Sequence, residues 1–151
     1  MGIYVYYHLT LLNNWRDIVR EQCSRLVFSR LYHETVMIKC YAISPDMDSI
    51  TECRELLKKY GNKFELIEHT DKGNEWFTLS HTNETTANDD FVLYIHTKGV
   101  TRYGTDTYDY HEGHIARDTG ELTHHDMTFH STELYRNICD WRDLMEYFLI
   151  A

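Results

Sequence analysis

The stretch that decides the fold is Phe91–Thr101, FVLYIHTKGVT, in which an apolar run stops abruptly at His96, Thr97, Lys98 and Gly99. An apolar run bounded this way predicts a buried strand, and its carboxyl end then carries an imidazole, a hydroxyl and an ammonium to one edge of a sheet. Open α/β sheets bind ligands at that edge. Two readings of His96–Gly99 stand side by side on spacing alone. In one, Lys98 is a point charge and Gly99 a permissive backbone for a bound diphosphate. In the other, Lys98 is solvated and Gly99 only turns the chain.

Working outward, Ile3–Leu9 is dense in β-branched and aromatic residues and predicts a first strand. After Asn13 and Asn14 the spacing becomes helical through Trp15, Ile18, Val19, Cys23, Leu26, Val27 and Leu31. Residues 35–43 predict a second strand, and Ser49-x-x-Glu52 a capping box opening a helix that Gly61 stops. Phe64–His69 predicts a third strand, and residues 75–86 a weaker helix with Trp76, Phe77 and Leu79 at its apolar start. Strands alternating with helices predict a Rossmann-like α/β fold, a mostly parallel sheet with helices on both faces.

Residues 100–131 lose periodicity and fill with Gly, Asp, Thr, Tyr and His, which predicts a long irregular loop with a binding role. Ser131 or Thr132 then caps a last helix with Leu134, Ile138, Trp141, Met145, Phe148 and Leu149 on one stripe. One domain over 1–151 fits the length, and one proline with seven glycines leaves little material for a linker. The apolar finish Phe148–Ala151 suggests further structure after it, or a surface through which two copies pair as a homodimer.

A formal charge of −9 with only fifteen scattered Lys and Arg argues against a nucleic-acid partner, since phosphate neutralisation needs clustered cations. One diphosphate needs only one or two, so a nucleotide remains open. Cys23, Cys40, Cys53 and Cys139 form no C-x-x-C pair and sit in apolar-periodic segments, as reduced structural thiols do. No signal peptide, myristoylation pattern or membrane span is legible, so the expected location is the cytoplasm.

Several motifs weaken other functions. No G-x-G-x-x-G follows the first strand, no P-loop occurs, and no G-x-S-x-G elbow supports a hydrolase. Asp46-Met47-Asp48 spells a metal-binding string but leads into a helix, where carboxylates favour the N-terminus. Asp89-Asp90 precedes a strand and suits a turn. His111, Glu112, His114, His124, His125, Asp126 and His130 invite zinc, yet their spacing fits no known ligand pattern and a solvated loop explains them as well.

The string Tyr94-Ile95-His96-Thr97-Lys98-Gly99-Val100, together with Asp140-Trp141-Arg142-Asp143-Leu144-Met145-Glu146-Tyr147-Phe148, resembles glycosyltransferase-like proteins of large DNA viruses and bacteria. Similar His-Thr-Lys strings occur in rhamnan-synthesis proteins. Tyr6-Tyr7-His8, Trp15-Arg16-Asp17-Ile18-Val19 and Glu21-Gln22 look like that family's first strand and helix. The resemblance spans nearly the whole chain and is strong in two short blocks.

It implies a GT-A-type fold and transfer of a sugar from a nucleoside-diphosphate sugar to a glycan or other hydroxyl acceptor, in host cytoplasm if the source is viral. The donor would lie against His8, Leu9, Thr10, His96, Thr97, Lys98 and Gly99, with Arg142 as a phosphate clamp or loop support. Asp106, Asp109 and Glu112 are the candidate bases. The family's usual Asp-x-Asp is replaced by His96-Thr97-Lys98, so no metal ligands are assigned and a manganese or magnesium requirement stays open. Proteins of that family continue into an acceptor-side segment, which implies that the chain is either a short intact version or lacks that segment. The alternative is a non-catalytic nucleotide-sugar or glycan binder that self-associates through its last helix.

Overall fold

The computed structural model of the chain describes residues 1–97. The expectations for Lys98, Gly99, Asp106, Asp109, Glu112 and Arg142, for the loop at 100–131 and for the last helix lie outside the described residues. Along the chain the elements are β1 (Ile3–Thr10), α1 (Trp15–Phe28), α2 (Arg30–Glu34), β2 (Met37–Ile43), α3 (Met47–Tyr60), β3 (Phe64–Thr70), α4 (Trp76–Thr85) and β4 (Phe91–His96). The strands form one sheet in the order β3-β2-β1-β4, and all three pairings are parallel. The chain steps outward from β1 to β3 and then returns to the free side of β1, so strand order reverses between β1 and β4. This is the α/β, Rossmann-like arrangement that the alternating pattern predicts.

Side-chain alternation divides the sheet into two chemically different faces. Val5, Tyr7 and Leu9 of β1, with Ile38, Cys40 and Ala42 of β2 and Ile95 of β4, join Ile18, Val19, Cys23 and Leu26 of α1 and Ile50, Cys53 and Leu57 of α3 in one buried apolar cluster. Each fully buried aliphatic side chain there contributes about 1.5–3 kcal/mol. The opposite face carries Tyr6, His8, Lys39 and Tyr41, and α4 covers it largely through polar and aromatic contacts. Tyr41 stacks on His81 at 4.8 Å and meets Phe77 edge-on at 6.1 Å.

That polar face corrects the expected apolar start of α4. Trp76 is 70% exposed and the buried residue of the helix is Thr78, because the strand surface beneath offers hydroxyl and imidazole groups. Two other boundaries also differ. The helical spacing through Leu31 is interrupted at Ser29, whose hydroxyl donates to the Leu26 carbonyl at 2.6 Å while its backbone adopts an extended conformation. Leu31 thus belongs to the short α2, whose carbonyl end is gathered by Lys63 Nζ, donating to Tyr32, His33 and Thr35.

The capping box is displaced as well. Asp46, not Ser49, is the N-cap of α3, accepting from the backbone N–H groups of Asp48 and Ser49, and Ser49 adds its own hydroxyl to Asp46. These donors hold the Asp46 carboxyl below the usual carboxylate range. Glu52, freed from capping, grips Arg16 of α1 in a two-pronged pair. Asp90 serves the expected turn role, accepting from Gly2 and Ala87 backbone N–H groups. Cys23, Cys40 and Cys53 are buried free thiols. Among the described residues no helix is long and apolar enough to cross a membrane.

Gly61 ends α3 at φ 154°, and a Cβ there would overlap the Tyr32 hydroxyl; Gly73 has a similar φ of 149° but only ordinary contacts around it. Both positions strain an L side chain, so Gly73→Ala is expected to cost about 1 kcal/mol or more. Gly61→Ala is expected to cost clearly more than Gly73→Ala in urea denaturation. Equal costs would show that Tyr32 yields freely.

Candidate functional site

In a parallel sheet every strand ends at the same edge, and helices that follow those strands begin there. The reversal between β1 and β4 therefore brings Thr10, His96 and Thr97 together with the chain that opens α4, Glu75 to Thr78. His8 and His96 occupy paired positions in the β1/β4 register. The sequence-predicted residues that the structure describes do converge on one place, but they do different work there.

His8 is sealed, at 2% exposure. Its Nδ1 lies 2.7 Å from Thr78 Oγ1 and its Nε2 3.2 Å from Thr10 Oγ1, so both ring nitrogens are committed to hydroxyls. Leu9 is fully buried in the apolar cluster on the other face and can offer a ligand only its backbone. Thr97 is also buried, and its hydroxyl accepts the Thr10 N–H at 3.0 Å while its own N–H donates to the His8 carbonyl at 3.1 Å. Thr10 and His96 remain partly exposed. The His96 carbonyl accepts from Gln22 Nε2 at 2.9 Å, and Gln22 Oε1 accepts from the buried Tyr7 hydroxyl at 2.6 Å. The carboxyl end of β4 is thus fastened to both β1 and α1.

The residue that the sequence reading passed over is Glu75. Its carboxylate meets His96 Nδ1 at 2.7 Å. A carboxylate only accepts hydrogen bonds, so Nδ1 carries the proton and the ring presents Nε2 at its other corner. The signal that could have found Glu75 is topological: the residue before a helix in a parallel sheet sits at the carboxyl edge of the strands. Next to this pair, the Tyr94 hydroxyl is buried without a hydrogen-bond partner among the described residues. Burial pushes the Tyr94 phenol up, and the nearby Glu75 charge adds to that shift. The Asn14 carboxamide, at the start of α1, is likewise buried with neither polar atom partnered among the described residues.

Deeper on the same face, Tyr6 Oη is shared among Thr85 at 2.9 Å, Thr86 at 3.0 Å and Lys39 at 3.1 Å. Burial pushes the Tyr6 phenol up, but these hydrogen bonds and the Lys39 charge outweigh it and leave it below its ordinary value. Lys39 also lies over the Tyr4 and Tyr6 rings at 4.7 and 5.0 Å. Tyr6 is fully buried, so this cluster holds α4 to the sheet and leaves the open chemistry to the edge.

Among the described residues no group of three or more His, Cys, Asp or Glu is arranged to hold a metal ion. Asp46 uses both carboxylate oxygens on the α3 N-terminus. What the edge can do chemically is accept a proton at His96, present the partly exposed Thr10 hydroxyl, and seat a polar group over a fixed backbone. Compared with known proteins, the chain matches no family model, no curated protein and no solved structure.

Burial holds His8 at about 4, with a smaller push in the same direction from His96 and an opposing one from Glu75. His8 is therefore neutral in the fold at neutral pH, whereas in the unfolded chain it protonates near 6.5. Between those values the unfolded state binds the extra proton, so stability is full above about pH 6.5 and falls as pH drops toward 4, by ~2–3 kcal/mol in total. Urea denaturation at pH 7, 5.5 and 4.5 is expected to show this loss, and His8→Asn is expected to flatten it. An unchanged pH slope in His8→Asn would contradict the assignment.

Proposed function

We propose that the chain binds a nucleoside-diphosphate sugar across the carboxyl ends of β1 and β4 and transfers its sugar to a hydroxyl acceptor. The observation that carries this reading is the convergence of Thr10, His96, Thr97 and Glu75 at the point where strand order reverses, with Lys98 and Gly99 next in the sequence. A crevice at such a reversal is where open parallel sheets take nucleotides. The resemblance of the Tyr94–Val100 and Asp140–Phe148 strings to glycosyltransferase-like proteins supplies the chemical class.

The division of labour among the residues follows from their burial. His8, Leu9 and Thr97 build the floor, and Thr10 and His96 offer the polar contacts that reach a ligand. Lys98 supplies the cation for the departing diphosphate, the charge stabilisation that a metal gives in other phosphate chemistry. Thr97, which precedes Lys98 in the sequence, is itself anchored on three sides by His8, Thr10 and the Gln22-bound His96.

Isothermal calorimetry with uridine, guanosine and thymidine diphosphate sugars is the direct test. One of these is expected to bind, and Lys98→Ala is expected to weaken that donor by about tenfold or more, the loss of one charge-assisted contact. No binding by any of the three, or undiminished affinity in Lys98→Ala, would sink the reading. Release of nucleoside diphosphate on incubation separates a transferase from a binder without turnover.

A further inference from the structure

Sugar transfer requires a base for the acceptor hydroxyl, and we infer that His96 is that base, with Glu75 as the residue that positions it. This rests on the reading above. Three observations carry it. The Glu75 carboxylate at 2.7 Å fixes the proton on His96 Nδ1, which leaves the Nε2 lone pair as the basic site. The His96 side chain is 30% exposed, whereas the neighbouring His8 is sealed with both nitrogens engaged, so of the two imidazoles only His96 can meet a substrate. The His96 main chain is immobilised, its carbonyl held by Gln22 and the following N–H by the His8 carbonyl, which limits the ring to rotation about its own side-chain bonds.

A carboxylate behind an imidazole does two things in proton transfer: it selects the tautomer and it stabilises the imidazolium that forms. In the step, His96 Nε2 takes the acceptor hydroxyl proton as the acceptor oxygen bonds to the anomeric carbon. The bond from that carbon to the diphosphate oxygen breaks, and its electron pair leaves with the nucleoside diphosphate. The imidazolium then returns its proton to water. Attack and departure on opposite faces invert the anomeric centre. The loop carboxylates Asp106, Asp109 and Glu112 are not required for this step.

Among the described residues the titratable groups around the His96 ring are Glu75 before α4, His8 on β1 and Tyr94 on its own strand. Glu75→Gln keeps an acceptor oxygen for Nδ1–H but removes the carboxylate charge that faces the imidazolium formed in the step.

The test uses the full chain and whichever of the three donors binds in calorimetry, with water as acceptor and nucleoside diphosphate release as the readout. His96→Gln is expected to lower kcat by about 10²–10⁴-fold, the usual range for a general base, a drop well beyond the loss of donor affinity that calorimetry reads for the same variant. Glu75→Gln is expected to lower kcat by roughly tenfold at unchanged KM, and Glu75→Asp to restore part of that loss. Loss of a merely structural link between α4 and β4 would not confine the effect to kcat. Wild-type kcat in His96→Gln, or a loss confined to donor affinity, overturns the inference while leaving the donor-binding reading intact. Absence of donor binding in the wild-type chain overturns both.

Discussion

Strand β1 pairs in parallel with β2 on one side and β4 on the other, and this double ladder is the constraint from which the rest follows. Parallel pairing puts the carboxyl ends of all four strands on one edge. The return of the chain from β3 to the far side of β1 then reverses the strand order, and α1 and α4 both begin at that edge. The hydrogen bonds from Thr10 N–H to Thr97 and from Thr97 N–H to His8 continue the β1/β4 ladder one step past the regular strand.

The two faces of the sheet divide stability from chemistry. On the α1/α3 face the contacts are apolar, and burial pushes the thiols of Cys23 and Cys40 well up and that of Cys53 to about 12, which keeps them protonated and unreactive. On the α4 face hydroxyls, imidazoles and Lys39 form a hydrogen-bonded layer from Tyr6 up to Glu75. Such a layer specifies how α4 docks more strictly than apolar packing does, because each misplaced partner leaves a buried polar group unsatisfied. It ends at the carboxyl edge of the strands in the His96–Glu75 pair, which is partly open.

The strands and most helices were legible because their signals are local. Ile3–Thr10 and Phe91–His96 stand out by composition, and Gly61 marks a helix end that only a positive φ allows. The misreadings share a cause: the outcome was set by a competing hydrogen bond rather than by periodicity. Ser29 turned inward on Leu26, and Asp46 outcompeted Ser49 for the α3 cap because it lies where the first free N–H groups point. The His8–Thr78 and His96–Glu75 contacts were illegible for a different reason. They join residues 70 and 21 positions apart, and no spacing rule connects a strand end to the helix before or after it until the strand order is known.

The reading of function stands on where the polar ends of β1 and β4 meet, so the most direct measurement is a crystal structure of the chain with the nucleoside diphosphate of the donor it binds. The account predicts the diphosphate beyond the carboxyl ends of β1 and β4, within hydrogen-bonding reach of Thr10 and with the His96 ring facing the site of the departing sugar. A nucleotide seated at the opposite edge of the sheet, or on the α1/α3 side away from His96, would contradict it.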